Sequence, residues 1–212
     1  VKYDIKPDGN FKPEFDHQGN TLELREDWSG RSSRGKVLWT ITAPKETEVE
    51  YSAASGDLSI EGMNTTINAE TASGDIRLIR AKGKFEVSTA SGDIIVEDMT
   101  GELELSTASG DILIEDSKGD IELSTASGDI EAKNLEGEFE FEVASGDIEV
   151  KESNGKFSCS TASGDIEFDE IVLAGESEFS VASGDVHVVL AKSPKYNLEI
   201  STASGDATLD FN

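Results

Sequence analysis

One phrase, Ala-Ser-Gly-Asp, is written into this chain nine times, with its aspartates at Asp57, Asp75, Asp93, Asp111, Asp129, Asp147, Asp165, Asp185 and Asp206. The first six intervals are eighteen residues long and the last two are twenty and twenty-one. A fixed period of this size is the mark of a stacked-repeat architecture and limits the fold more than any other property of the chain. The two longer intervals place insertions around Val172 to Ala174 and around Ser193 to Lys195, where a corner loop absorbs extra residues.

Inside one unit, "KFEVSTASGDIIVEDMTG" (Lys84 to Gly101), apolar residues alternate on both sides of the phrase: Phe85 and Val87 before it, Ile94 and Val96 after it. A period of two predicts strands. The same slots hold Leu103, Leu105, Ile112 and Ile114, then Ile121, Leu123 and Ile130, then Phe139, Phe141, Ile148 and Val150, then Phe157, Cys159, Ile166 and Phe168. Gly83, Gly101, Gly119, Gly137 and Gly155 punctuate the far end of successive units, where the backbone is expected to need positive φ. Each unit therefore reads as two short strands and two corners. One unit cannot bury its apolar face alone, so neighbours must stack strand on strand at about 4.8 Å. The expected fold is all-β, a parallel β-solenoid of about nine coils and roughly 40 Å of stacked length. An antiparallel meander is the rival, disfavoured because hairpins would alternate two environments whereas every unit here carries the same residues.

Residues 1–50 lack the phrase and hold both tryptophans, Trp28 and Trp39. The runs "NTLELRED" and "VLWTITAP" are strand-like, and this part is expected to form irregular strands capping a regular solenoid over residues 51–212, in one continuous domain.

The phrase itself looks architectural. The apolar alternation changes phase across Ser-Gly-Asp, so the chain turns there; Gly supplies backbone freedom, while Asp and Ser hydrogen-bond nearby main chain. Stacking then puts a carboxylate in every coil. Two carboxylates about 4.8 Å apart repel by roughly 0.9 kcal/mol in water and about 3.5 kcal/mol at an effective dielectric of 20. Three arrangements relieve such a column: hydrogen bonds from turn amides and from hydroxyls such as those of Thr71, Thr89, Thr107, Thr125, Thr161 and Thr202; bound cations; or splayed, solvated side chains. Calcium at Asp75, Asp93, Asp111, Asp129, Asp147 and Asp165 is the sharper alternative. Against it stand one Gly-Asp turn per coil, no double glycine, and a calcium requirement of six or more oxygens. No cofactor is expected.

With 18 Lys and Arg against 44 Asp and Glu, the formal charge is −26, which argues against nucleic acid and anionic lipid as direct partners. The single cysteine, Cys159, rules out an intramolecular disulfide and any multi-cysteine zinc site. It sits in the inward slot of Val87 and Leu105, a core position and not that of a nucleophile. His17 and His187 lack any motif context and read as surface residues. Acidic pairs abound and have no value as a glycosidase signature. No catalytic residue is expected. No apolar run reaches the length of a membrane helix. The chain begins at Val1 without an initiator Met, compatible with a leader or anchor upstream.

The outward slot after each inward Ile reads Ser59, Arg77, Ile95, Leu113, Glu131, Glu149, Glu167 and His187. Ile95 and Leu113 interrupt a polar run and, with Ile79, form a candidate apolar patch for a protein partner or a second copy.

The repeated Ser-Gly-Asp-Ile after a Thr/Ser strand, led in by "ITAPKETEVEYSAASGDLSI" (Ile41 to Ile60), resembles the bacterial adhesin-like family of β-strand-repeat domains of unknown function. Pro44 stands where that family's lead-in strand ends, and the likeness runs from Thr21 to Phe211. It implies a β-solenoid on an exported or cell-envelope protein, often behind an N-terminal membrane anchor, with no catalytic residues to carry over. The expected function is a non-enzymatic extracellular or envelope scaffold that binds a protein or glycan. The alternatives are a calcium-binding β-roll-like module, a polysaccharide-active β-helix enzyme, and an ice-binding Thr/Ser ladder.

Overall fold

The computed structural model describes residues 2–8, 11–28, 34–191 and 197–211, among which there are strands and turns but no helix. The chain divides into two compact units, Val1–Pro44 and Lys45–Asn212.

In the first unit Lys2–Asp8 pairs antiparallel with Arg34–Thr40, and Phe11–Gln18 pairs antiparallel with Thr21–Trp28 across a turn at Gly19, whose φ is 61°. The Phe15 ring meets Trp39 edge-on at 5.6 Å, and the Trp39 indole N–H donates to Glu26 at 2.6 Å. The run "NTLELRED" falls in Thr21–Trp28 and the first half of "VLWTITAP" in Arg34–Thr40, but Ile41–Pro44 forms no strand, so the lead-in strand ends before Pro44.

The second unit is the solenoid. Nine longer strands, beginning with Val49–Ala53 and Asn64–Thr71, alternate with nine strands on the other ladder, beginning with Leu58–Glu61 and Ile76–Ile79. Each pairs in parallel with its counterpart one repeat away. Thr107 lies on Thr89 and under Thr125, and Ile112 lies between Ile94 and Ile130. The solenoid unit opens at Lys45, ahead of the first Ser-Gly-Asp, because Val49–Ala53 is already a ladder strand paired with Ile67–Thr71.

Alternation decides what is inside. Phe85, Val87, Ile94, Val96 and their counterparts up to Phe168 are buried, together with Phe179, Val181, Val186, Val188 and Leu190. At about 25 cal/mol per Å² of apolar surface removed from water, this continuous column is the main favourable term in holding the coils together. Its contents are graded. Phe139 stacks on Phe157 at 4.8 Å, Phe157 meets Phe168 edge-on at 5.2 Å, and Phe168 lies 4.5 Å from Phe179. Cys159 pairs in register with Phe141 on one side and Phe179 on the other, so a small side chain sits between two large ones.

The second corner of the coil falls three residues before the position read from the sequence, between the short strand and the next long one. Gly83, Gly101, Gly119 and Gly137 have positive φ, between 135° and 151°, each as the second residue of a long strand, whereas Gly155, expected to share that conformation, does not and is glycine because a Cβ there would meet the Gly137 carbonyl oxygen and the Phe139 ring. Three residues before each of them the chain also enters the left-handed region, at Arg80, Asp98, Asp116 and Asn134, and again at Glu152 and Glu170, with φ between 50° and 57°. Gly62, φ 72°, is the first member of that column. A non-glycine residue there costs about 1 kcal/mol. Glu152→Gly is therefore expected to raise the free energy of unfolding by about 0.5–1 kcal/mol, read from urea curves, since the Lys133 contact it forfeits is solvent-exposed.

The twenty-residue interval is absorbed where Ile166–Leu173 runs on beyond the usual short strand, with a register shift between Phe168 and Ile171. Its end pairs with Asn154 and Gly155 on the other ladder. The second insertion, Ser193 to Lys195, lies outside the described residues.

Candidate functional site

At the Ser-Gly-Asp corner backbone bonds still run from coil to coil, Gly110 N–H to the Ser127 carbonyl at 3.2 Å and Ile112 N–H to the Asp129 carbonyl at 2.9 Å, and between them side chains take up the Asp N–H and the Gly carbonyl. The Asp carboxylate accepts the backbone N–H of the next coil's Asp: Asp75 N–H to Asp57 Oδ1 at 3.1 Å, Asp129 to Asp111 at 2.9 Å, Asp147 to Asp129 at 2.8 Å, and so on to Asp206 on Asp185 at 2.7 Å. The Thr hydroxyl of one coil donates to the Gly carbonyl of the coil before: Thr89 to Gly74 at 3.3 Å, Thr125 to Gly110 at 3.2 Å, Thr161 to Gly146 at 3.1 Å. Of the three arrangements that relieve a carboxylate column, the structure uses the turn amides. The hydroxyls serve a carbonyl instead of the carboxylate, and the Thr side chains are buried.

Removing one carboxylate tests this joint. Asp129→Ala leaves the exposed Asp147 N–H to water in place of its carboxylate acceptor and is expected to cost about 0.5–1.5 kcal/mol. Asp129→Asn keeps an acceptor oxygen and removes one charge from the column, so its cost should stay below about 1 kcal/mol and shrink further at low salt, where repulsion between carboxylates is least screened. Equal losses for the two variants would exclude this role for the carboxylate.

Among the described residues no group of three or more His, Cys, Asp or Glu side chains is placed to hold a metal ion. Asp75, Asp93, Asp111, Asp129, Asp147 and Asp165 follow one another along the column, each engaged with an amide of the following coil. His17 lies exposed on the hairpin strand opposite Leu22, and His187 half-buried on an outward slot of Val186–Leu190. Cys159 is buried, and that burial pushes its thiol pKa well up, opposite to what a reactive thiolate requires. Ser117 and Ser153 are buried polar residues that sequence reading missed. Each hydroxyl donates to the carbonyl two residues back, Glu115 or Lys151, and accepts the N–H of Met99 or Leu135 in the coil before. Only the i to i+18 register reveals that pairing.

Outward, the long-strand face carries Glu86, Glu104, Glu122 and Glu140 in one column. Lysines relieve the neighbouring columns coil to coil, with Lys84 on Glu102 at 2.8 Å and Lys118 on Glu136 at 2.5 Å. The hydrogen bond and charge of Glu102 raise the Lys84 pKa, and Lys84 in turn lowers that of Glu102. Glu122 has no such partner, and desolvation followed by repulsion from Glu104, Glu140 and Glu142 pushes its carboxyl above the ordinary range. A carboxyl raised in the folded state is protonated there more readily than in the unfolded chain. Its ionisation therefore subtracts stability as pH rises from the unfolded pKa through the higher folded one, and subtracts nothing well below both. Glu122→Gln is expected to stabilise the protein at pH 7 and to lose that gain below about pH 4, as read by denaturation midpoints at the two pH values.

On the short-strand face the ladder puts Ile95 directly beside Leu113, flanked by Arg77 and Glu131. Ile79 lies on the diagonal from Ile95, and the Arg77–Glu97 ion pair, 2.5 Å, joins the other diagonal. All three apolar residues are half-buried. Along the corner preceding the aspartates runs an open groove of about 860 Å³, lined by alanines such as Ala90 and Ala126 and by Ser88, Ser106, Ser124 and Ser160.

Parallel coils at an eighteen-residue register, with corner joints made by side chains and no interrupting loop over six intervals, define a β-solenoid repeat protein. A family model, Toastrack DUF4097, matches residues 2–159 and 136–212, and the chain belongs to that family. No curated protein and no solved structure matches it.

Proposed function

We propose that the protein is a non-enzymatic scaffold or binding module of the bacterial cell envelope or its exterior, adhesin-like in that it offers long flat faces to a protein or glycan. The observation that carries this reading is the unbroken register of the outward columns. Six equal intervals keep every corner short, so the faces are surfaces of repeated side chains spaced about 4.8 Å apart and not walls of a pocket. The Ile95 and Leu113 pair is a place on those faces where two apolar side chains adjoin and are half-exposed to a partner.

The test is co-sedimentation of the purified chain with bacterial cell envelopes and its retention on immobilised envelope glycans. Binding that drops in the Ile95→Glu, Leu113→Glu double variant, with melting unchanged, supports the reading. Binding no greater than that of an unrelated protein of equal charge and size, or turnover of any of those glycans, overturns it. For the calcium alternative the discriminator is the melting temperature in calcium against chelator. Because the corner carboxylates are engaged with amides, no shift is expected, and a ligand binding only the folded form would raise it.

A further inference from the structure

We infer that the Ile95 and Leu113 patch receives an extended segment of another protein in which an aliphatic side chain is flanked, two residues away on each side, by lysine or arginine. The inference rests on the reading of the solenoid faces as binding surfaces and names the partner of one of them. The short strands that carry the patch lie in "SGDIIVED" and "SGDILIED", Ser91 to Asp98 and Ser109 to Asp116, and neither segment holds a lysine or arginine. Outside the core, every second residue of each reads acid, aliphatic, acid: Asp93, Ile95 and Glu97, then Asp111, Leu113 and Glu115, with Ile95 beside Leu113 and Glu97 beside Glu115. The next two coils arrange the same face differently. Glu131 and Glu149 take the aliphatic slot and Lys133 and Lys151 the slot of Glu115, and the chain meets these charges itself, through Lys151 on Glu149 and Lys133 on Glu152. At the patch Arg77 reaches Glu97 at 2.5 Å, while Glu115 has no ion pair among the described residues, its ladder neighbour Lys133 being turned to Glu152. Acid left unmatched within the chain thus coincides with the exposed aliphatic pair.

Charge complementarity identifies the occupant. An extended chain sets alternate side chains on one face about 6.6 Å apart, the same step that separates Asp93, Ile95 and Glu97 along their own strand. A segment reading basic, aliphatic, basic at every second residue therefore lays a cation toward each acidic rim when its aliphatic side chain lies on Ile95 and Leu113. An uncharged surface laid over the patch, a neutral glycan included, would take water from these carboxylates and return no charge. A second copy of this chain would bring the same carboxylates to the same rim, and nucleic acid would add phosphates to it. The attraction is between exposed charges, so added salt weakens it while the aliphatic contact persists.

Titration of the isotopically labelled 212-residue chain with the synthetic peptide acetyl-Lys-Thr-Leu-Thr-Lys-amide, followed by the NMR shifts of the backbone amides, tests this. The expected result is saturable shifts centred on Ser91–Asp98 and Ser109–Asp116, with an affinity at least about tenfold above that of the same peptide carrying serine for leucine, the effect of one aliphatic contact. Leu113→Ser should bring the leucine peptide down to the level of the serine peptide. Glu115→Lys, which leaves the aliphatic pair in place, should weaken binding at least about threefold, and more at low salt. Equal affinity for the two peptides, which diffuse attraction to a chain of charge −26 would give, overturns the inference, as do shifts centred on the long-strand face. Retention on envelopes or envelope glycans with no peptide binding overturns it too, and leaves the broader reading of the faces standing; patch-centred peptide binding without envelope retention supports it and removes the envelope from that reading.

Discussion

Replacing Gly128 by alanine is expected to lower the free energy of unfolding by at least about 3 kcal/mol, more than any surface substitution on the solenoid. Two independent effects combine. The residue has φ +156°, and a Cβ built on it would overlap the carbonyl oxygen of Gly110, its counterpart in the preceding coil. The obstacle is backbone, which moves only if the coils separate. Gly119, the second residue of a long strand, is in the same position, with φ +135° and a Cβ that would overlap the carbonyl of Gly101. Because each coil touches only its neighbours, the damage should concentrate at one joint, dividing the solenoid into halves that lose cooperativity. Hydrogen exchange would then show early opening around Ser106–Asp129, with slower exchange in the coils beyond. A Gly128→Ala protein that melts with the parent would mean that the coils are stacked less closely than described.

The second large effect is expected from Phe157→Ala, at about 3–5 kcal/mol. Phe157 is fully buried, stacked on Phe139 and edge-on to Phe168 across the interior, so it links two coils on one ladder and the two ladders to each other. Truncation removes those contacts and leaves a void that neither ladder can close without breaking register. Phe157→Leu should recover most of the loss, since it restores much of the volume. The comparison is by denaturant midpoint at constant slope, because a changed slope would report partial unfolding. A loss below about 1 kcal/mol for the alanine variant would indicate that the aromatic cluster is loosely packed.

Much of this was legible before any coordinates. The inward column from Phe85 to Phe168 follows from period two, and the parallel stacking follows from eighteen-residue identity, because identical units need identical neighbours. What escaped had two physical causes. The left-handed turn falls on Gly62, Asp98, Asp116 and Asn134, residue types that tolerate that region and so signal it locally, but also on Arg80, Glu152 and Glu170, which do not, so the column shows no uniform signature. The partners of Asp129, Thr125 and Ser153 are main-chain groups in the adjacent coil, at the same height only once the register is known. The candidate site was legible in part. Ile95 and Leu113 are neighbours as expected, while the ion pair between Arg77 and Glu97 depends on a diagonal that a linear pattern does not display.

The corner joint has a genetic corollary. Because each Asp carboxylate and each Thr hydroxyl is completed by an adjacent turn at a constant offset, an in-frame duplication or loss of one eighteen-residue segment reproduces the same joint on both sides of the cut. Span along the axis is thereby free to drift between descendants in steps of about 4.8 Å, without a new core having to evolve.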